Sequence, residues 1–140
     1  MDARYIAGLF DGEGSISLRM RKNRNDLTFE IRLYNSSSEI LAIKKETHLS
    51  WNISKNEKDR KKIVYVLSLT KMEEIHSFLS SIIPFLRIKK RQAETMFSLI
   101  ESRQNTPKKP YTREQIGMIN LIRKENWRAK KFENALYEQK

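Results

Sequence analysis

Ile6-Ala7-Gly8-Leu9-Phe10-Asp11-Gly12-Glu13-Gly14 is the stretch on which the reading of this chain turns. Three of the four glycines fall inside it, at 8, 12 and 14, and the hydrophobic period changes just beyond it. Residues 2–12 suit a short helix, with the Asp2 side chain available to accept from the unpaired N–H groups of the first turn. From Ser15 the period is two: Ile16, Leu18 and Met20 alternate with Ser15, Ser17, Arg19 and Arg21. After the polar, Asn-containing stretch 22–26, Leu27, Phe29, Ile31 and Leu33 alternate with Thr28, Glu30, Arg32 and Tyr34. The pattern predicts a helix leading into a hairpin with one apolar and one polar face.

Outward from this core, Ser36 and Glu39 stand at capping-box spacing before Ile40, Leu41 and Ile43, which predicts a helix to about residue 48. Segments 51–54 and 63–69 read as a second hairpin joined by the charged loop 55–62. Thr70 and Glu73 form another box, opening a helix through Ile75, Phe78, Leu79 and Ile82 that stops before Pro84. A further helix spans 87–103, with Ala93, Met96, Phe97 and Ile100 on one side. A break at 106–110 follows, and Thr112 with Gln115 caps a long basic helix. The order αββα–ββα plus two helices predicts an α+β fold around one four-stranded antiparallel sheet. At 140 residues, 1–140 has the size of one domain.

The formal net charge is +11, which favours a polyanionic partner, most simply nucleic acid; a basic surface serving only solubility is the bland alternative. Cysteine is absent, which excludes disulfides and thiolate metal sites. The apolar run at 5–10 is too short to cross a bilayer, so no membrane partner and a soluble, intracellular protein are expected.

Gly8 and Gly12 lie four apart on one helix face, with Ala7 alongside. Small side chains on one face let two helix backbones approach closely. The partner is either the chain's own sheet or the same helix of a second copy, for which a two-fold dimer is the simplest closed arrangement. On the second reading Ala7, Gly8, Phe10, Asp11 and Gly12 form the interface. Glu13 falls near the carbonyl-rich end of this helix, where a carboxylate is disfavoured. A hard cation there, bound by Glu13 and the Gly12 carbonyl, would relieve the conflict; a solvated helix-end acid is the alternative.

The same nine residues resemble the signature of the LAGLIDADG homing endonucleases almost position for position, with Tyr5 before them and Ser15-Ile16 after them as similar flanks. Segment 84–93, Pro-Phe-Leu-Arg-Ile-Lys-Lys-Arg-Gln-Ala, looks like the run before the family's penultimate helix, and the likeness covers most of residues 4–103. One departure stands out: the signature often has Asp where this chain has Glu13. Asp11 is read as structural.

The resemblance implies the single-motif, homodimeric type: an αββαββα fold with a saddle-shaped antiparallel sheet and a C-terminal helix. It implies hydrolysis of both DNA strands across the minor groove with Mg²⁺, Mn²⁺ being a possible substitute, to leave short 3′ overhangs. Glu13 would be the metal-binding acid with the Gly12 carbonyl. Asn35 matches a polar position that arranges active-site water, or else serves as a strand-exit cap. Lys89 matches a basic position near the scissile phosphate. Glu39 falls where some relatives carry a basic residue. The family is typically intron- or intein-associated, and its members occur where their target DNA resides, in organelles or in archaeal or bacterial cytoplasm. Two alternatives stay open: an RNA-binding maturase acting on intron RNA, and a DNA-binding regulator without cleavage.

A polar antiparallel face can lie in the major groove, where each base pair presents its own donor and acceptor pattern. The residues expected to meet double-stranded DNA are Ser17, Arg19, Arg21, Lys22, Arg24, Thr28, Glu30, Arg32 and Tyr34, with Lys58, Arg60 and Lys62 of the charged loop reaching phosphates. Arginines suit guanine edges, and Glu30 is expected to accept from cytosine N4. A strand of about eight residues spans roughly 26 Å at ~3.3 Å per residue, or about eight base pairs at ~3.4 Å each. Two half-sites give a nearly palindromic target on the order of 20 base pairs. Arg123, Lys124, Arg128, Lys130 and Lys131 around Trp127 read as phosphate contacts and a packing anchor. His48 and His76 have no ligand-spaced partners, and Trp51 reads as core.

Overall fold

A computed structural model describes residues 2–20, 27–59 and 62–138. Helix α1 (Ala3–Glu13) runs directly into β1 (Gly14–Met20), which is followed by β2 (Leu27–Asn35), a 3₁₀ turn (Ser38–Leu41) and the short α2 (Ala42–Thr47). Strands β3 (Asn52–Asp59) and β4 (Lys62–Leu69) come next, then α3 (Met72–Ile82), a 3₁₀ turn (Ile83–Phe85), α4 (Lys90–Asn105) and α5 (Arg113–Glu138). The four strands form one antiparallel sheet in the order β1-β2-β4-β3. The expected α+β class with one four-stranded antiparallel sheet is the one found.

The apolar side of the first hairpin supplies the core. Ile16, Leu18, Phe29, Ile31 and Leu33 join Leu67 and Leu69 of β4 beneath Ile6, Ala7 and Phe10 of α1, with Ile75, Phe78, Leu79 and Ile82 of α3. Phe78 meets Phe10 edge-on at 5.9 Å and Trp51 at 5.0 Å, so aromatic contacts tie α1, α3 and the start of β3 together. Trp51 is core, as its size suggests.

Several elements differ from the sequence reading. The segment expected to be the loop 55–62 is largely strand: β3 continues through Asp59 and β4 begins at Lys62, with a register shift between Glu57 and Asp59. Ile53 and Ile63 are exposed on this hairpin, so its end lies beyond the cover of the helices and carries polar residues on both faces. Such a strand has no two-fold hydrophobic period to read, and its charges suit an unpaired sheet edge.

Two of the three capping boxes also move. The cap after β2 is Ser37 rather than Ser36, its Oγ accepting from Glu39 N–H at 3.2 Å. Helix α3 begins after Lys71 with no side-chain cap, and Glu73 and Glu74 favour its first turn through the helix dipole. The third box is formed as expected: Thr112 N–H donates to Gln115 Oε1 at 3.0 Å, and Gln115 N–H donates to Thr112 Oγ1 at 3.1 Å. The fully buried Gln115 amide also donates to Ser102 Oγ and Thr106 Oγ1, both at 3.0 Å, joining the start of α5 to the end of α4.

Gly14 marks the joint between α1 and β1. A Cβ there would stand 2.5 Å from Phe10 Cδ2 and 2.6 Å from the Phe10 carbonyl oxygen. Neither can yield easily, because the ring is fully buried and the carbonyl accepts the Gly14 N–H that closes the helix. Gly14→Ala should therefore destabilise the fold by about 3 kcal/mol, at the upper end of overpacking effects. Chemical denaturation of the two proteins measures the difference; a change below about 1 kcal/mol would show that this joint relaxes.

Candidate active site and nucleic-acid interface

Glu13 is the last residue of α1, and its side chain is exposed. Its surroundings come from a part of the chain remote in sequence. Asp11, one half-turn back, accepts from Arg87 N–H through Oδ2 at 2.9 Å and from Lys89 N–H through Oδ1 at 3.0 Å. The Lys89 ammonium in turn donates to the Asp11 backbone carbonyl at 2.6 Å. Asp11 is thus structural, as expected, and its role is to lash the approach to α4 onto the end of α1. This tether also explains why α4 starts at Lys90 rather than at Arg87: the amides of residues 87 and 89 bond to a carboxylate across the fold.

Lys89 is brought beside Glu13 by this arrangement. Burial pushes its ammonium below the usual lysine range, while the charges of Asp11 and Glu13 pull the other way. A cation bonded to a carbonyl of the last helical turn satisfies part of the negative field there. The positive charge that the sequence argument demands at this helix end is therefore partly the chain's own.

Asn35 ends β2, at the sheet end from which α1 and β1 depart, since Gly14 pairs with Leu33. Its Oδ1 accepts from Ser37 N–H at 2.8 Å, the strand-exit cap weighed as its alternative role. The amide nitrogen is the part of Asn35 left to face other groups.

The expected interface residues divide. Ala7 and Phe10 have no exposed surface and belong to the chain's own core, so their assignment to a partner contact is corrected. Asp11 is half-buried and engaged with 87–89. Gly8 and Gly12 are exposed, and a Cβ on either would meet nothing within 4 Å. Among the described residues nothing requires them to be glycine, although glycine inside a helix is destabilising by about 0.5–1 kcal/mol relative to Ala. Beside them the sequence reading missed three apolar side chains: Tyr5, Phe85 and Ile88 are 51%, 42% and 78% exposed. Arg4 lies over the Phe85 ring at 5.5 Å, which places the 3₁₀ turn alongside α1. Its neighbours could have flagged Ile88, an apolar residue set directly between Arg87 and Lys89.

The polar face of the sheet carries Ser17 and Arg19 from β1 and Thr28, Glu30, Arg32 and Tyr34 from β2. Glu30 departs from its expected role. Its carboxylate is 9% exposed, with Oε1 2.8 Å from Arg19 Nη2 and 3.0 Å from Arg32 Nε, so it faces two arginines rather than a base edge. Arg32 Nη1 also donates to the Tyr34 hydroxyl at 3.4 Å, and this contact together with Glu30 holds the guanidinium pKa above its ordinary value despite partial burial.

The β3–β4 register adds residues to the same face that the sequence reading missed. Arg32 pairs with Ser68 and Tyr34 with Val66, while Ser68 pairs with Asn52 and Val66 with Ser54. Asn52, Ser54 and Ser68 therefore extend the polar surface, and Lys62 is exposed at its end. Asn52, Ser54 and Ser68 all lie in segments read as strand; what the sequence did not show is that β4 pairs with β2, which joins the polar faces of the two hairpins. Arg21, Lys22, Arg24 and Arg60 lie outside the described residues, as do the side chains of Lys58, Trp127, Arg128, Lys130 and Lys131. Arg123 and Lys124 are exposed on α5.

Among the described residues no group of three or more His, Cys, Asp or Glu side chains converges as a metal site. The donors at the end of α1 are one accessible carboxylate and helix-end carbonyls, an oxygen-only set suited to a hard divalent cation but incomplete within one chain. His76 is elsewhere, stacked on Phe97 at 4.1 Å and 3.0 Å from Glu101. A cleft of about 1040 Å³ beside Met72, Arg103, Tyr111 and Ile116 holds none of the expected site residues. Its Arg103 packs over Tyr111 at 4.0 Å and donates to the Lys109 carbonyl, which fixes the loop before α5. No helix among the described residues is long and apolar enough to cross a membrane.

Comparison with known proteins agrees with this geometry. Residues 1–82 match the model of the LAGLIDADG-like domain. The chain is 26% identical to the DNA endonuclease I-CreI of Chlamydomonas reinhardtii, over 76% of this chain and 66% of that protein. It thus spans just under two thirds of that relative's length. Among solved structures, the homing endonuclease I-CvuI in complex with its target in the presence of Ca superposes with a TM-score of 0.69 at 16% identity, covering 86% of this chain and 78% of that one. The archaeal intron-encoded homing endonuclease I-Vdi141I, complexed with DNA, gives 0.57 at 19% identity, covering 89% and 96%. With a family model spanning more than half of the residues, and a helix-to-strand motif whose acid, lysine and polar sheet face lie together, this chain belongs to the LAGLIDADG homing-endonuclease family.

Proposed function

We propose that the chain is a site-specific endonuclease that cuts both strands of double-stranded DNA as a homodimer, using Mg²⁺. The observation that carries this reading is the position of Glu13. It sits exposed at the end of a helix whose outer face is two glycines among uncovered apolar side chains, and it is followed without a linker by a strand of the polar sheet face.

Two copies packed through Gly8 and Gly12 about a two-fold axis bring two Glu13 carboxylates together. With the Gly12 carbonyls these oxygens would hold divalent cations, Mg²⁺ or in its place Mn²⁺. Such a cation, when bound, neutralises charge on the phosphate and lowers the pKa of water. The remaining work falls to the protein. Lys89 supplies positive charge beside the scissile phosphate, where charge develops as the leaving oxygen departs. Asp11 holds Lys89 in place by accepting from its backbone N–H and, through its own carbonyl, from its ammonium. The Asn35 amide group, with its oxygen fixed by Ser37, is positioned to hold water near the same end of the sheet. The sheet face lies in the major groove while the paired helix ends face the minor groove, which places the two cuts a few base pairs apart with 3′ overhangs.

Incubating the protein with a randomised duplex library and Mg²⁺, then sequencing the cut ends, tests this function. One long, nearly palindromic motif with a constant stagger is the expected result. A motif well under a dozen base pairs, or cutting of single-stranded RNA instead, would overturn it.

A further inference from the structure

A lone acid on a surface that meets DNA is unfavourable, because the phosphates repel it and the only base group that welcomes it strongly is cytosine N4. Glu30 stands at the centre of that surface, opposite Ser17, yet its carboxylate is almost wholly covered. What covers it is two arginines. Arg19 reaches it diagonally from β1 and Arg32 from two residues along β2, and both approach the same oxygen. The two arginine side chains stay 59% and 33% exposed, so each contacts Glu30 and still presents surface outward.

The edges matter. Arg32 turns its Nε toward Glu30, and Arg19 one N–H of Nη2. Arg32 also gives an Nη1 N–H to the Tyr34 hydroxyl, so the donors left for O6 and N7 of guanine are the remaining N–H groups of each guanidinium, Nη1 of Arg19 and Nη2 of Arg32 among them. Long arginine side chains free in solvent lose rotamer freedom when they bind a base; a shared carboxylate removes that freedom beforehand. Because one oxygen lies 2.8 Å from Arg19 Nη2, which donates to it, and 3.0 Å from Arg32 Nε, an ion pair without a hydrogen bond, these two nitrogens are closer together than two base-pair rises of ~3.4 Å.

We propose that Glu30 is a positioning residue that presents Arg19 and Arg32 as a paired reader of two guanines, on either strand, within two base-pair steps of each other in each half-site. Glu30 itself touches no base. The proposal rests on the DNA-binding function above and adds to it where and how part of the specificity arises.

The test is binding selection from a randomised duplex library in Ca²⁺, which supports binding without requiring cutting, followed by sequencing of the bound duplexes. The unmodified 140-residue protein should enrich a motif with two such guanine positions per half-site, each preferred by about tenfold or more. Glu30→Gln keeps the shape of the side chain but removes its charge, and should reduce both preferences to within about twofold while the other positions stay as they are. Arg19→Ala and Arg32→Ala should each erase one member of the pair. An E30Q profile that keeps both guanines overturns the proposal and leaves DNA binding intact as a function. A profile flattened at every position overturns it too, since Glu30 would then serve the sheet as a whole. Should E30Q fail to fold, the two arginine variants decide alone: lost positions more than two steps apart, or not guanine, refute the pair. Wild-type protein that enriches no duplex motif removes the functional reading and this inference with it.

Discussion

Glu13→Gln is expected to yield a folded protein that binds its target duplex in Ca²⁺ as tightly as the parent within a few-fold, but cuts it in Mg²⁺ on the order of 10³-fold more slowly. The substitution preserves size at an exposed helix end, so folding has little to lose. What disappears is the only freely accessible carboxylate at the end of α1, since Asp11 already accepts two backbone amides. Cations at a phosphate contribute several kcal/mol of charge stabilisation in the transition state, and about 1.4 kcal/mol corresponds to each tenfold in rate. In a two-fold dimer both strands lose an acid at once. Cleavage kinetics with purified protein and a fixed duplex measure the effect; a variant that cuts within tenfold of the parent removes Glu13 from the reaction.

Gly8→Leu separates the helix-pair reading from an ordinary surface glycine, because the two predict opposite signs. In the isolated chain a Cβ at this position enters open space, and replacing a mid-helix glycine by a good helix former raises helix stability by about 0.5–1 kcal/mol. If two α1 helices cross at this point, the added side chains prevent close approach of the backbones, and association weakens by about 100-fold or more, comparable to a mid-sized loss of packing. The expected variant is therefore a well-folded monomer at concentrations where the parent is a dimer, with cleavage lost in proportion. Analytical ultracentrifugation and thermal melts at low concentration read both quantities. An unchanged sedimentation coefficient would show that the glycine face serves another contact.

The first hairpin was legible because every second residue from Ile16 to Met20 and from Leu27 to Leu33 is apolar and the helices cover that side. Its pairing register follows from the same alternation. The second hairpin was half hidden, because residues 55–57 are polar and exposed and have no buried side to imprint a period. On α1 the spacing of Gly8 and Gly12 identified a face, but only the assembled core reveals that Ala7 and Phe10 point the opposite way.

Partnership was less legible than placement. Alternation puts Glu30 on the polar face with Arg19 and Arg32, yet the shared carboxylate depends on a diagonal contact across two strands. Likewise Lys89 stands 78 residues from Asp11, and no local pattern announces that the two meet. A family signature pointed to Lys89; the reason it is held there is three-dimensional.

Gly14 closes α1 and opens β1 in a single residue, so no hinge separates Glu13 from Ser15, Ser17 and Arg19. For the function proposed here, the backbone becomes a ruler whose zero is the acid and whose graduations, every second residue at roughly 6–7 Å, are the side chains that inspect the bases. The break point and the inspected sequence are then locked in phase. Changing which bases the strand accepts would redirect the enzyme to another address without altering where, relative to that address, it cuts.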